Sequence, residues 1–375
     1  MNRNVQKKRV YLEAMRVLAC ALVLFNHMAG YNLYSMTSGI RQVFFMSLTM
    51  ITRINAPLFF MISGALLFPK NDSFASVFRK RFLRILCLLV LFDLLLFACH
   101  HIQFITGDIY RYEAITGIPA VRMSVWDLLS GILMNRIPGS DPYWYLYSHL
   151  GLLFVLPFMQ RIAKGLTKTE LISLIALHFI ASSFLPVLNL VLALCGVSRT
   201  ISLYSEFIVP FAFAKPYFYT LIGYYLENRI DTAKLKPLHI IALIGLSLSG
   251  IVVSGICTVA EARMNGAYSQ NFVQLFDYVI AIAAFLLIKL MFTSGFMQNK
   301  YPVIEKAICF MGSVTLGIYM FDPVFKQLFI FRFNDWLSPR LSIFAVTMVW
   351  VVISMCAGTV CTCILKKLPV TRKLL

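Results

Sequence analysis

The chain has 375 residues, 59% of them hydrophobic and 13% charged, with a formal net charge of +18. A soluble domain carries about 25% charged residues, so the composition excludes an ordinary soluble globule and marks a polytopic membrane protein. The positive charge lies in short segments between apolar runs, which argues against a nucleic-acid partner, and nine cysteines without a C-x-x-C pair indicate neither a disulfide framework nor a zinc site.

Ten spans are predicted, near 12–34, 43–68, 82–105, 143–161, 170–195, 207–227, 238–258, 272–293, 307–331 and 341–365. The first is too long, and lacks the small-residue site, for a cleaved signal. The fold class is therefore all-α: a membrane helix bundle of about ten transmembrane helices, one integral-membrane domain over 1–375, with no appended soluble domain. An even count puts both termini on one side. The segments on that side hold Arg3, Lys7, Lys8, Arg9, Lys70, Arg79, Lys80, Arg81, Arg84, Arg161, Lys164 and Lys168. They continue with Arg229, Lys234, Lys236, Lys300, Lys306, Lys366, Lys367, Arg372 and Lys373, against only eight arginines on the other side. The positive-inside rule then makes both termini cytoplasmic. The one long outer loop, about 106–142, reads as a partly ordered cap.

The first span, YLEAMRVLACALVLFNHMAGYNLY, carries Glu13, Arg16 and His27. With about 100° per residue and Glu13 at zero, Arg16 falls near ~300° and His27 near ~320°, a single narrow stripe. Arg16 and His27 are separated by about three turns, roughly 16 Å. Ionisable groups at membrane depth are costly and face a protein interior or a wet cavity, although a stripe of this kind also serves helix packing.

Span two contains NAPLFFMISGALLFP, in which Pro57 and the Ser63-Gly64 pair permit a kink and a close helix approach. Arg53, just before it, needs a partner or a water-lined pocket. Span three starts in FRKRFLRIL, where Arg81 and Arg84 share a face beside Arg79. Guanidinium forks there suit a polyphosphate, and positive-inside anchoring is the alternative. Span four, YWYLYSHLGLLFVLP, offers Tyr143, Trp144, Tyr145 and Tyr147 as an outer aromatic belt or a platform for a sugar ring, with His149 as hydrogen-bonded filler. His100 and His101 are expected in wet surroundings at the outer end of span three. Asp93, Glu206, Lys215, Asp277 and Lys289 fall in or near spans as candidate ion-pair partners. In SVTLGIYMFDP, Asp322 either lines a pocket or caps a helix broken at Pro323.

An Arg-x10-His span, APLFFMISGALL, an R-x-x-R segment, YWYLY and TLGIY occur in this order from about residue 10 to about 330. Together they resemble the membrane acyltransferase family 3, the bacterial integral-membrane O-acyltransferases, in the form without a fused hydrolase-like domain. Glu13 stands where members more often have Asp, and Phe321-Asp322-Pro323 stands where many have a histidine before the proline. The histidine often found just before the Trp of the aromatic span is also missing. The resemblance implies transfer of an acyl group, usually acetyl, from cytoplasmic acyl-coenzyme A to a hydroxyl of an envelope glycan or lipid-linked sugar. It implies a location in the bacterial cytoplasmic membrane. His27 is then the essential histidine, and Arg16 with Arg81 and Arg84 the essential basic residues.

The chemistry fits that role. The nucleotide head of acetyl-coenzyme A suits Arg79, Arg81 and Arg84, while neutral imidazole suits a general base or a transient acyl carrier. Glu13, Trp144 and Asp322 complete the expected binding residues, Asn26 and Ser63 are candidate oxyanion donors, and no metal is called for. A transporter or flippase for a polar or lipid-linked substrate is the alternative, since it too uses buried Arg and His.

Overall fold

A computed structural model describes residues 9–197, 199–204, 209–293, 301–369 and 371–375. Arg3, Lys7, Lys8, Glu206 and Lys300 lie outside the described residues. All regular elements among the described residues are helices, and none is a strand. Seven of its helices are long and apolar enough to cross a membrane: Val10–His27, Gly39–Leu67, Phe74–Thr106, Lys168–Leu194, Pro237–Asn265, Pro302–Leu337 and Ile343–Leu365. An eighth span results if Asp141–Phe154 and Leu156–Gly165 are taken as one broken helix.

Each of the ten predicted runs meets helix, but two helices are short. The run 207–227 holds Lys215–Asn228, 14 residues, and the run 272–293 holds Asp277–Thr293, 17 residues. Both start late for a local reason. Pro216 favours the first turn of a helix and Ala214 before it is extended, while Asp277 places an acid in a first turn. The first helix also ends earlier than expected, at His27. Ala29 takes a left-handed conformation (φ 55°) there, and the chain continues as a 3-10 turn over Gly30–Met36.

Two compact units divide the chain. The first comprises Met1–Leu22, Tyr31–Asn71 and Phe158–Gly312. Its tightest contact is between Asn55–Leu67 and Lys215–Asn228. A Cβ on Gly64 would lie 1.8 Å from the Thr220 carbonyl oxygen, and one on Gly223 would lie 2.1 Å from that of Met61. Only glycine lets the two backbones approach so closely, as the small-residue pair in span two anticipated. Near the end of Lys215–Asn228, the buried Lys289 donates to the carbonyls of Leu226, Glu227 and Ile230. A cation is favourable at that negative helix end, and it also faces the Glu227 carboxylate at 3.5 Å.

The second unit comprises Val23–Gly30, Asp72–Pro157 and Ser313–Leu375. Here the part of Pro302–Leu337 after Gly312 packs on Ile343–Leu365 by the same device. Gly317, of TLGIY, faces Thr362, and Gly358 faces the backbone of Ile318. The helix runs on through Pro323 rather than breaking at it. The predicted outer cap contains two short helices, Ile109–Thr116 and Val125–Met134. A capping box starts the second, and the backbone N–H and hydroxyl of Ser124 hold the Asp127 carboxyl below the usual carboxylate range.

Candidate active site

His27 and Asp322, 295 positions apart in sequence, meet in the second unit with Nδ1 of the imidazole 2.7 Å from Oδ2 of the carboxylate. Asp322 is fully buried. Its other oxygen, Oδ1, accepts from the Trp350 indole N–H at 2.9 Å and from the Ser354 hydroxyl at 2.7 Å. Three donors thus converge on one carboxylate, which satisfies it and fixes its plane. A carboxylate so placed keeps the ring proton on Nδ1 and leaves Nε2 with its lone pair. Among the described residues nothing hydrogen-bonds Nε2, and the His27 side chain retains 14% of its exposure. The geometry can hold a neutral imidazole in one tautomer and stabilise the imidazolium that forms when Nε2 takes a proton.

Lys326 lies one turn beyond Asp322 on the same helix face. Its ammonium donates to the His27 carbonyl oxygen at 2.8 Å. That carbonyl ends a helix and lacks an intrahelical partner, so the contact closes the helix terminus and anchors the backbone that carries the imidazole. The Tyr319 ring is 6.2 Å from the His27 ring, and its hydroxyl donates to the Pro142 carbonyl.

The remaining predicted residues divide. Glu13 and Arg16 form an ion pair at 2.8 Å within one turn of the first helix, in the first unit. Arg81 pairs with Asp72 at 3.1 Å. Arg84 donates to the carbonyls of Leu374 at 2.8 Å and Leu375 at 3.2 Å. Arg79 is exposed and has no hydrogen-bond partner among the described residues. The FRKRF segment is a turn of π-helix, in which Phe78 and Phe82 stack with ring centroids 5.1 Å apart. Trp144 is half exposed, its ring edge-on to that of Tyr145.

The other tyrosines of that run are not a surface belt. Tyr143 is fully buried and donates to the Met320 carbonyl at 2.8 Å, while Tyr147 contacts the buried Asp93 at 3.2 Å. His100 is also buried, with Nε2 2.8 Å from the Val121 carbonyl, contrary to the wet setting expected for it. Ser63 donates to the Phe59 carbonyl of its own helix at 2.9 Å, so its proton is already engaged. Lys215 pairs with Asp277 at 3.1 Å, and Tyr219 donates to the same acid.

Sequence reasoning missed Trp350, Ser354 and Lys326. All three leave a signal. Thr347, Trp350, Ser354, Gly358 and Thr362 recur at helical spacing in an otherwise greasy run and are buried. Lys326 follows Asp322 by one turn.

The described residues thus form seven or eight candidate membrane spans that carry a carboxylate-backed imidazole. Residues 9–367 match the family model for the acyltransferase domain of acyltransferase family 3, and the chain belongs to that family. It is a multi-pass membrane acyltransferase. No curated protein and no solved structure matches it.

Proposed function

We propose that the protein is an O-acyltransferase of the bacterial cytoplasmic membrane that moves an acyl group, acetyl first among candidates, from cytoplasmic acyl-coenzyme A to a hydroxyl of an envelope glycan or lipid-linked sugar. His27 is its general base. Nε2 takes the proton of the acceptor hydroxyl as that oxygen attacks the thioester carbonyl carbon. The tetrahedral intermediate then loses the thiolate with cleavage of the C–S bond, and the imidazolium returns the proton to sulfur. In the covalent variant, Nε2 attacks the thioester carbonyl first and the C–S bond breaks to release thiolate; the acceptor oxygen then takes the acyl group as the bond to Nε2 breaks, and its proton passes to the thiolate. Asp322 holds the ring and stabilises its charged form in either course. The observation that carries this reading is the 2.7 Å contact between His27 and a carboxylate braced by Trp350 and Ser354.

Arg79, Arg81 and Arg84 receive the phosphates of the donor and Trp144 stacks on the acceptor sugar, while Glu13 and Arg16 act as an ion pair of the first unit. Ten spans with both termini in the cytoplasm remain our topology, supported by the asymmetry of basic residues between alternate segments. The family match runs through both units, which supports one functional domain. Membranes containing the protein, incubated with acetyl-coenzyme A labelled in the acetyl group, test the proposal. Label is expected in a glycan or lipid fraction. Label that stays on coenzyme A, or leaves it only as free acetate, would overturn the acceptor assignment.

A further inference from the structure

We propose that Arg53 forms a binding site for an oxyanion, a phosphate or a carboxylate group, within the first unit. Arg53 lies where the helix Gly39–Thr52 gives way to Asn55–Leu67. Pro57 has no N–H to return to the Arg53 carbonyl, and this opens the helix at that point. The guanidinium is partly buried, and its direct contacts are with neutral groups. Nη2 donates to Gln270 Oε1 at 2.8 Å, and Cζ sits 4.7 Å from the centre of the Tyr31 ring. Gln270 is itself fixed, its amide donating to the Tyr34 hydroxyl at 2.9 Å, which donates in turn to the Ser269 carbonyl at 2.7 Å.

The positive charge has no carboxylate in direct contact among the described residues, and Asp277 acts on it only from beyond contact distance. Arg53 Nε is buried without a hydrogen-bond partner, and among the described residues no carboxylate pairs with this guanidinium. Two acids of the neighbouring segments are committed elsewhere. Asp277 faces Lys215 at 3.1 Å and Tyr219 at 2.8 Å, and Glu261 accepts from Asn271 at 2.6 Å and from Ser269. An arginine in a membrane span is costly unless an anion or a polar cavity compensates it. A guanidinium oriented by an amide and an aromatic face, with N–H groups to spare, matches the two oxygens of a phosphate or carboxylate. A lysine ammonium at the same place would supply charge without the fork. The inference concerns binding in the first unit alone, so it stands or falls separately from the catalytic role of His27.

The test is a titration of the purified full-length protein, in nanodiscs of zwitterionic lipid, followed by thermal unfolding. The probes are inorganic pyrophosphate, farnesyl diphosphate and methyl glucuronide. At least one is expected to raise the melting temperature of the wild type, with half-saturation weakened tenfold or more in Arg53→Gln and to an intermediate degree in Arg53→Lys. Protection by pyrophosphate identifies a phosphate group as sufficient. Protection by farnesyl diphosphate alone places that phosphate on a lipid carrier, and protection by methyl glucuronide alone identifies a sugar acid. Should Arg53→Gln not fold, Arg53→Lys decides, since affinity equal to wild type would overturn the fork. Absence of protection by every probe, or protection indifferent to Arg53, would overturn the site.

Discussion

Asp322 accepts the imidazole N–H of His27 at 2.7 Å while its second oxygen is held by Trp350 and Ser354. The carboxylate is therefore a fixed part of the imidazole's surroundings. Replacing Asp322 by Asn keeps the shape but offers the ring an amide, which no longer selects the tautomer with its proton on Nδ1. Turnover is expected to fall on the order of 10³-fold or more, as in other His–carboxylate pairs. Release of coenzyme A thiol by protein that elutes normally on gel filtration measures it. Turnover within twofold of wild type would remove Asp322 from the mechanism.

Ser354→Ala and Trp350→Phe each take one donor from Asp322 Oδ1. A buried acceptor that loses a partner costs about 1–3 kcal/mol. Both variants are expected to melt earlier and to lose activity less steeply than Asp322→Asn. A double variant close to the sum of the two singles would show that the donors act independently, whereas they share one oxygen and should couple.

Arg84 is exposed and, among the described residues, donates to two main-chain oxygens, those of Leu374 and Leu375, which a phosphate can displace. Arg84→Gln is expected to raise the KM for the acyl-coenzyme A donor about tenfold while leaving kcat nearly unchanged, the signature of lost ground-state binding. Steady-state kinetics at varied donor concentration checks this. A fall in kcat with unaltered KM would count against a phosphate clamp.

Lys289 and Glu227 are both buried in the first unit, at 9% and 5% side-chain exposure. Lys289→Met leaves the Glu227 carboxylate with Arg9, at 2.5 Å, as its remaining cation and leaves three helix-end carbonyls short of a donor. A loss of about 1–3 kcal/mol is expected, enough to lower the yield of folded protein. Adding Glu227→Gln should recover part of it. A single variant as stable as wild type in thermal unfolding would contradict this.

Gly64→Ala and Gly223→Ala test the helix contact of the first unit. The added methyl meets backbone rather than a flexible side chain, so neither helix can yield locally. Each is expected to cost upwards of about 1–3 kcal/mol and to broaden the elution profile. Gly245→Ala, where a Cβ meets open space, should be silent.

Much of the fold was legible because apolar length is a strong signal. The stripe of Glu13, Arg16 and His27 stood out for the same reason, since charge is conspicuous in a greasy run. Two expected spans proved short, as hydropathy does not register that Pro216 and Asp277 begin their helices late. The pairing of His27 with Asp322 was not legible from the residues, because nothing in a single sequence ties two positions 295 apart. The same holds for His100, whose partner Val121 belongs to an irregular segment with no pattern to read. Trp350 and Ser354 were visible as a polar face but gave no indication of which carboxylate they would brace.

The role of His27 is tested most directly by single-turnover transfer from labelled acetyl-coenzyme A in membranes containing equal amounts of wild-type protein and His27→Ala. Transfer is expected from the wild type and none above background from the variant, with both eluting as the same folded species. Acceptor labelling by His27→Ala at the wild-type rate would show that the acyl group moves without this imidazole.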